Sequence, residues 1–205
     1  IPCYNEEKNI PYLLEACEEL IENNFEIIIV DNGSTDQTAG VIKNLKNKYK
    51  KYKFIKIKKN LGYGNGILTG LKNASGDLIG WTHADLQTSP SDAIHAQRLF
   101  KKHGNDIFVK GTRQGRSFID NFFSYGMSFI SSLLLHHLFF EINAQPTFFS
   151  KNFFKELKNP PKDFSLDLYA YFMAKRKKLK IYRFDVYFGK RLHGYSSWNN
   201  GIIAK

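Results

Sequence analysis

The first half of the chain alternates short apolar runs with segments of helical periodicity. Apolar residues recur at helical spacing over roughly residues 7–23, and an apolar β-branched run follows at Glu26–Val30. A run of this kind is typical of a strand that is buried on both faces. The alternation continues through predicted strands at Phe54–Ile57, Asp77–Trp81 and Ile107–Lys110. This β-α-β rhythm predicts an α/β fold with an open, mostly parallel sheet flanked by helices.

Polar residues and glycine predict where the intervening helices begin and end. Ser34 and Gln37 have the spacing of a capping box, in which two side chains satisfy backbone N–H groups at a helix start. Ser89 and Asp92 predict the start of a later helix, which Gly104 would end.

The second half of the chain is richer in aromatic residues and less regular. Phe122–Phe140 is apolar nearly all round, but serines and two adjacent histidines interrupt it. The segment is compatible with a packed helix, a helix in a membrane interface or a span of ~20 residues, which the histidines fit poorly. A helix is predicted at Leu166–Lys178 and a strand at Ile181–Val186. Because no repeat or linker divides the sequence, we expect a single domain over residues 1–205.

Composition limits the class of protein and its partners. The net charge of +11 over 205 residues is compatible with a solvated surface, anionic substrates, acidic lipid head groups or nucleic acid. Cys3 and Cys17 form no CxxC pair, which argues against a disulfide framework and favours a reducing, cytoplasmic compartment. Ile1–Pro2 resembles the end of a strand, so we expect the sequence to be a fragment.

Carboxylates follow two of the predicted strands. Asp31 and Asp85 both lie at carboxyl ends, the edge where ligands bind in open α/β sheets. In an extended segment, Asp85 and Gln87 would point the same way and present oxygens to one hard cation, with His83 on the same face. Such a cation could neutralise a diphosphate. Gly62, Gly64 and Gly66 lack the GxGxxG spacing, so they indicate close backbone approach or a tight turn rather than a dinucleotide site.

Four ordered segments resemble the family-two inverting glycosyltransferases. These segments are residues 1–6, residues 30–36, Asn60-Leu61-Gly62 and residues 83–87. The Gln145-Pro146 segment and residues 191–197 are most similar to the polyprenyl-phosphate branch of that family. The resemblance implies a nucleotide-sugar-binding, Rossmann-like glycosyltransferase A-type fold.

The resemblance also implies a role for each matching residue in the donor site. It assigns the nucleoside pocket to Pro2, Tyr4, Asn5 and Glu6, with Asp31 on the base or ribose, and the nucleotide-binding set extends to Gly62, His83, Arg191 and Ser196. Asp85 and Gln87 match the metal-and-diphosphate positions. His83 stands where the family has its first aspartate, and an imidazole there would favour Mn²⁺ over Mg²⁺ as the metal.

The acceptor side is implied in the same way. Arg113 and Arg116 are similar to arginines that hold a lipid phosphate, and the expected catalytic set is Asp85, Asp167, Arg113 and Arg116. Asp167 is the candidate general base for a hydroxyl acceptor. It would equally suit the first turn of a helix, where the macrodipole favours a carboxylate.

The expected protein is therefore a metal-dependent glycosyltransferase. It would move a hexose, with inversion, from a nucleotide diphosphate sugar to a polyprenyl phosphate at the cytoplasmic face of a membrane. The basic run Lys175–Lys180 would rest on anionic lipid or form a solvated helix end. One alternative is a saccharide hydroxyl acceptor in surface polysaccharide synthesis. A nucleic-acid-binding module is disfavoured because the aromatic residues gather in apolar helical segments rather than among basic ones.

Overall fold

A computed structural model describes residues 1–194 of the chain. Alternating strands and helices fill residues 1–114, as the hydrophobic pattern predicts. The strands are β1 (Pro2–Cys3), β2 (Ile28–Asp31), β3 (Lys53–Lys56), β4 (Leu78–Trp81), β5 (Ile107–Gln114), β6 (Thr147–Ser150) and β7 (Lys180–Tyr187). The helices are α1 (Ile10–Ala16), α2 (Glu18–Glu22), α3 (Thr38–Leu45), α4 (Tyr63–Asn73), α5 (Asp92–His103), α6 (Phe118–Leu135), α7 (Lys151–Lys155) and α8 (Ser165–Arg176).

The strands form two sheets rather than the single sheet that the sequence predicts. The first has the order β1-β2-β3 with parallel pairing throughout, and the second has the order β4-β6-β5-β7. Strand β6 pairs antiparallel with both β4 and β5, whereas β5 and β7 are parallel. The α/β class and the mostly parallel pairing are confirmed, and the reversed strand β6 is the element that the sequence analysis missed.

The helix ends are predicted correctly at one position and wrongly at another. Helix α5 ends at Gly104, whose positive φ of 80° suits glycine. The capping box at Ser34 and Gln37 is wrong. Helix α3 starts at Thr38 without a side-chain cap from Gln37, and the Ser34 hydroxyl instead accepts the backbone N–H of Asn5 at 3.0 Å. The Ser34 side chain is therefore used to join two strand-end loops.

Helix α6 has the reverse of the usual amphipathic arrangement. Ser124, Ser128 and Ser131 are buried against the protein, whereas Phe118 and Phe129 are 85% and 71% exposed. The helix therefore does not match a packed core helix, the first of the possibilities that the sequence leaves open. Within residues 1–194, α6 is the one helix long and apolar enough to cross a membrane by length and composition.

An apolar cavity of ≈ 430 Å³ separates the two sheets. Its lining includes Ile28 of β2, Ile79 and Trp81 of β4, and Phe148 of β6. The backbone nitrogen of Ile1 lies at its edge and donates to the carbonyl of Ile28 at 2.8 Å. Because its walls are mainly hydrocarbon, the cavity does not match a charged sugar nucleotide.

The glycines of α4 allow close packing against other protein segments. A Cβ at Gly64 would lie 2.8 Å from the carbonyl oxygens of both Pro161 and Asp163. A Cβ at Gly66 would lie 3.0 Å from Pro2 and from the Asn32 side chain. Helix α4 therefore approaches β1, β2 and the segment before α8 only because these positions lack a side chain.

Replacing Gly64 with alanine is expected to lower the free energy of unfolding by about 1–3 kcal/mol, because two backbone carbonyls must move. Gly126→Ala in α6 is the matched control, since its Cβ would meet no atom within 4 Å. That change should raise the free energy of unfolding by about 0.5–1 kcal/mol through helix propensity. Urea denaturation of both variants measures the difference, and equal effects would contradict the close packing at Gly64.

Candidate active site

The loops after β1 and β2 are joined at the carboxyl edge of the first sheet. The register pairs Cys3 with Asp31, so residues 4–6 and 32–35 leave the sheet side by side. The Asn5 side-chain oxygen accepts the Thr35 N–H at 2.8 Å, and the Thr38 hydroxyl accepts the Glu6 N–H at 2.8 Å. Tyr4, in the loop after β1, is exposed. The predicted nucleoside-pocket residues are thereby brought together.

Asp31 is the last residue of β2 and is buried. Its Oδ1 accepts the Ser34 N–H at 3.0 Å, but its buried Oδ2 has no hydrogen-bond partner among the described residues. Asn32 points toward the next loop and donates to the carbonyl of Gly62 at 2.9 Å. A buried acceptor without a partner costs about 1–3 kcal/mol, so a ligand N–H or O–H at Asp31 would be stabilising.

Two carboxylates and one guanidinium meet beside this pocket. Arg191 Nη2 lies 2.9 Å from Asp85 Oδ2, and Arg191 Nη1 lies 4.0 Å from Glu6 Oε1. Burial raises the pKa of Glu6, as does the charge of Asp85 to a smaller degree, while the hydrogen bond from Asn9 opposes the shift. The predicted residues Glu6, Asp85 and Arg191 therefore belong to one electrostatic cluster.

The segment after β7 is held over the cluster by hydrogen bonds to both neighbouring loops. Gly189 N–H donates to the carbonyl of Gln87 at 2.7 Å, and Gln87 Nε2 donates to the carbonyl of Gly189 at 3.1 Å. Asn9 Nδ2 donates to the carbonyl of His193 at 3.2 Å. These hydrogen bonds place Arg191 beside Asp85. Ser196, the predicted partner of Arg191, lies outside the described residues.

The segment from His83 to Gln87 is not the extended strand end on which the sequence argument rested. Leu86 has a left-handed φ of 57°, and the Gln87 backbone N–H donates to Asp85 Oδ1 at 3.2 Å. The turn removes the simple i, i+2 alignment of Asp85 with Gln87. The His83 ring lies against Tyr63, with 5.7 Å between the ring centroids.

The side chains that could bind a metal ion at this site fit a cation that also binds phosphate oxygens. Within residues 1–194, no three His, Cys, Asp or Glu side chains cluster as a protein-only metal site. Mg²⁺ commonly binds one or two carboxylates together with substrate phosphates. Asp85 can supply one such carboxylate, provided that Arg191 leaves it. Coordination by His83 and Gln87 stays a prediction.

Arg113 and Arg116 converge on Glu141 at a separate position. Arg113 Nε lies 2.6 Å from Glu141 Oε2, and Arg116 Nη1 lies 3.4 Å from Glu141 Oε1. Both guanidinium groups also lie over the Phe188 ring. Arg113 Nη2 and Arg116 Nε are buried without a hydrogen-bond partner in the described part of the chain. The two guanidinium groups thus share the Glu141 carboxylate, and two of their N–H donors stay unused within residues 1–194.

Asp167 is buried in the first turn of α8 and is 1% exposed. It accepts a hydrogen bond from Gln145 at 2.8 Å and lies 3.6 Å from the ammonium of Lys110. Lys110 also donates to the Thr147 hydroxyl at 2.8 Å, and burial lowers the pKa of Lys110 to about 8 despite the charge of Asp167. The carboxylate is therefore held as a buried counter-ion rather than offered to an accessible surface.

Lys110, Glu141 and Asn9 are the site-supporting residues that the sequence analysis missed. Lys110 directly follows the apolar run Ile107–Val109, and a charge within a buried strand is a signal that a partner must exist. Glu141 carries no local signal, because Arg113 and Arg116 lie 28 and 25 positions away. Asn9 has one local partner, Glu6, but its contact with the carbonyl of His193 spans 184 positions.

Comparison with known proteins identifies the class of protein to which this site belongs. The profile of glycosyl transferase family 2 matches residues 1–182. The chain therefore belongs to glycosyl transferase family 2.

The curated relatives are named as sugar transferases that use polyprenyl phosphates, which is the branch that the sequence predicts. The chain is 35% identical over 119 residues to undecaprenyl-phosphate 4-deoxy-4-formamido-L-arabinose transferase from Photorhabdus laumondii, covering 56% of this chain and 35% of the relative. It is 35% identical over 117 residues to dolichol-phosphate mannosyltransferase from Pyrococcus furiosus, covering 54% and 33%. The matches thus span about a third of these curated relatives.

A solved structure confirms the expected glycosyltransferase A-type fold. Glucosyl-3-phosphoglycerate synthase from Mycobacterium tuberculosis, solved with Mn²⁺, uridine-diphosphate-glucose and glycerol 3-phosphate, superposes with a TM-score of 0.70. The identity is 18%, and the superposition covers 95% of this chain and 70% of the other.

Neutralising Asp167 alone is expected to lower the free energy of unfolding by about 3–5 kcal/mol, because Lys110 would lose the charge that compensates it. The Asp167→Asn/Lys110→Met double variant should recover much of this loss. Glu156→Gln is the matched control, since the Glu156–Lys177 pair is exposed and contributes about 0–1 kcal/mol. A double-mutant cycle in urea that gives no coupling between positions 110 and 167 would rule out the counter-ion role.

Proposed function

We propose that this protein transfers a sugar, with inversion, from a nucleotide diphosphate sugar to a polyprenyl phosphate. One observation supports the acceptor class above all. Arg113 and Arg116, with their unused buried donors, lie beside the start of an exposed apolar helix, and Arg116 Nη1 binds Ser124 of α6 at 2.7 Å. A phosphate attached to a hydrocarbon chain needs cationic groups for the phosphate next to an apolar surface for the chain.

The donor is assigned to the carboxyl edge of β1, β2 and β4. The free oxygen of Asp31 would accept a hydrogen bond from the base or ribose, between the loops that carry Tyr4 and Asn5. Asp85 would then lie on the diphosphate side of the same edge. Similarity to proteins that use nucleotide sugars supports this assignment, which rests on the site rather than on the fold alone.

Departure of the nucleoside diphosphate places negative charge on the leaving oxygen. A bound Mg²⁺ or Mn²⁺ would offset that charge. In this chain Asp85 is the residue best placed to hold the cation, and Arg191 is the guanidinium best placed to bind the diphosphate once it leaves Asp85. Both roles are electrostatic and require no proton transfer.

The acceptor phosphate is already ionised at neutral pH, so its attack requires no strong general base. This agrees with the burial of Asp167 against Lys110. A saccharide hydroxyl would need a base within hydrogen-bond reach. Because Asp167 supports the packing, its replacement would not distinguish the two acceptors, and the acceptors themselves must be compared.

A polyprenyl phosphate is confined to a membrane, so we propose that the protein acts at the cytoplasmic face of one. The net charge of +11 favours an anionic surface. The basic segment after α8 is part of that charge.

Incubation of the protein with nucleotide sugars, MnCl₂ or MgCl₂ and either a polyprenyl phosphate or an oligosaccharide tests the proposal directly. Mass spectrometry should detect a sugar phosphodiester of the lipid with one donor of the panel. Asp85→Asn should lower kcat by about 10²–10³-fold, as expected when charge stabilisation at the leaving group is lost. Asp31→Asn should mainly raise the KM for the donor.

Asp106→Asn is the control, because Asp106 is an exposed carboxylate at the start of β5. Its kinetic constants should equal those of the wild type. Glycosylation of the oligosaccharide but not of the lipid phosphate would overturn the acceptor assignment. Absence of any donor binding in a thermal-shift panel would overturn the proposal as a whole.

A further inference from the structure

Strand β7 forms an outer edge of the second sheet. It pairs in parallel with β5 along its whole length, and no strand among residues 1–194 pairs with its other side. The Phe188 N–H, just beyond β7, donates to the carbonyl of Gln114 in β5 at 2.9 Å. Because the backbone groups of a strand alternate in direction, the odd-numbered residues 181–187 turn their N–H and C=O groups away from β5. An edge of this length is a template for pairing with another chain.

The other outer edge, strand β3 of the first sheet, is protected by lysines. Lys53 and Lys56 lie on β3, and residues 37–76 contain ten lysines and no acidic residue. A second copy of the chain at this edge would bring like charges together, which disfavours strand pairing. Strand β7 lacks this protection, because the charge of Arg183 is offset by that of Asp185 two residues later.

The charges of β7 select one register for antiparallel pairing with a second copy. A two-fold axis at Phe184 places Arg183 of each copy opposite Asp185 of the other. An axis at Arg183 would instead oppose two arginines, and an axis at Asp185 would oppose two aspartates. Facing residues of opposite charge stabilise a strand pair, whereas facing like charges destabilise it. Pairing centred on Phe184 is therefore the favoured arrangement.

The apolar side chains of β7 suit the same register. Phe184 would meet Phe184 of the second copy in a closely spaced, non-hydrogen-bonded pair, where aromatic contacts are favourable. Its ring already lies against His95 of α5, with 5.5 Å between the ring centroids. On the other face, Tyr187, which is 75% exposed, would lie opposite Ile181 of the second copy. The register thus covers an exposed aromatic side chain as well as matching the charges.

Contacts within each copy hold the two charged side chains in place. Arg183 donates to the carbonyl of Gly111 at 2.9 Å, and its guanidinium lies over the Tyr171 ring. Asp185 is exposed and accepts a hydrogen bond from Gln114 at 3.0 Å. Side chains that are already ordered lose less conformational entropy when two surfaces associate.

We propose that two copies of this chain associate through β7 as an antiparallel, two-fold symmetric pair. The outward N–H and C=O groups of residues 181–187 would then be hydrogen-bonded across the axis, and the second sheets of the two copies would become one continuous sheet. This association is independent of the proposed sugar transfer, because it uses no residue of the donor or acceptor site.

Sedimentation equilibrium at several protein concentrations, without donor, acceptor or lipid, tests the proposal. The wild type should form a dimer. Asp185→Arg should weaken dimerisation about tenfold or more, since each copy would then oppose two arginines across the axis. Asp106→Arg is the matched control, because it makes the same change of charge at an exposed carboxylate just before β5, and it should leave the dimer unchanged.

Amide hydrogen exchange of the wild type provides a second measurement that needs no variant. The N–H groups of Arg183 and Asp185 should exchange more slowly as the protein concentration rises, whereas those of Lys50 and Lys51, in the exposed turn before β3, should not change. A monomer at every concentration, equal losses in the two charge variants, or β7 amides whose exchange is independent of concentration would each overturn the proposal. A dimer that Phe129→Gln dissociates but Asp185→Arg does not would also overturn it, because the contact would then lie on α6.

Discussion

The pairing of Arg191 with Asp85 and Glu6 is the interaction on which the site depends. It joins three segments that are far apart in the sequence: the loop after β1, the loop after β4 and the segment after β7. Without a cation between them, the two carboxylates would repel each other at the edge of the sheet. The hydrogen bonds between Gln87 and Gly189 bring the guanidinium to this position. The electrostatics of the edge therefore require a positive group, which the chain itself supplies here.

The same requirement explains how a donor could be accommodated. A sugar nucleotide brings its own negative charge, and a divalent cation would then replace Arg191 at Asp85 and free the guanidinium for the phosphates. In that arrangement the divalent cation would offset the diphosphate, so the net charge of Arg191 and the two carboxylates would be unchanged by the ligand. On the acceptor side, Arg113 and Arg116 share the carboxylate of Glu141, and Arg113 Nη2 and Arg116 Nε have no hydrogen-bond partner among residues 1–194.

The features of the fold and the site that the sequence predicts are those encoded by local patterns. The apolar run before Asp31 places this carboxylate at the end of β2, and the run that ends at Trp81 places Asp85 in the loop after β4. Strand β6 escaped prediction because Thr147–Ser150 is short and its direction depends on partners in β4 and β5. The pattern of α6 identified a helix but not its orientation, which depends on what its serines contact. Burial of Asp167 depends on Lys110, 57 positions away, and no local pattern encodes that pair.

Calorimetric titration of Mn²⁺ into the wild type, Arg191→Gln and Asp85→Asn, with and without a nucleoside diphosphate, measures whether Asp85 holds the cation and Arg191 competes with it. We expect weak Mn²⁺ binding by the wild type alone and tighter binding when the diphosphate is present. Arg191→Gln should bind Mn²⁺ more tightly than the wild type without nucleotide, because Asp85 no longer has a competing cation. Asp85→Asn should bind Mn²⁺ weakly throughout. Mn²⁺ affinities that are the same in all three proteins would contradict the assignment of Asp85 as the residue that holds the cation and, through it, the diphosphate.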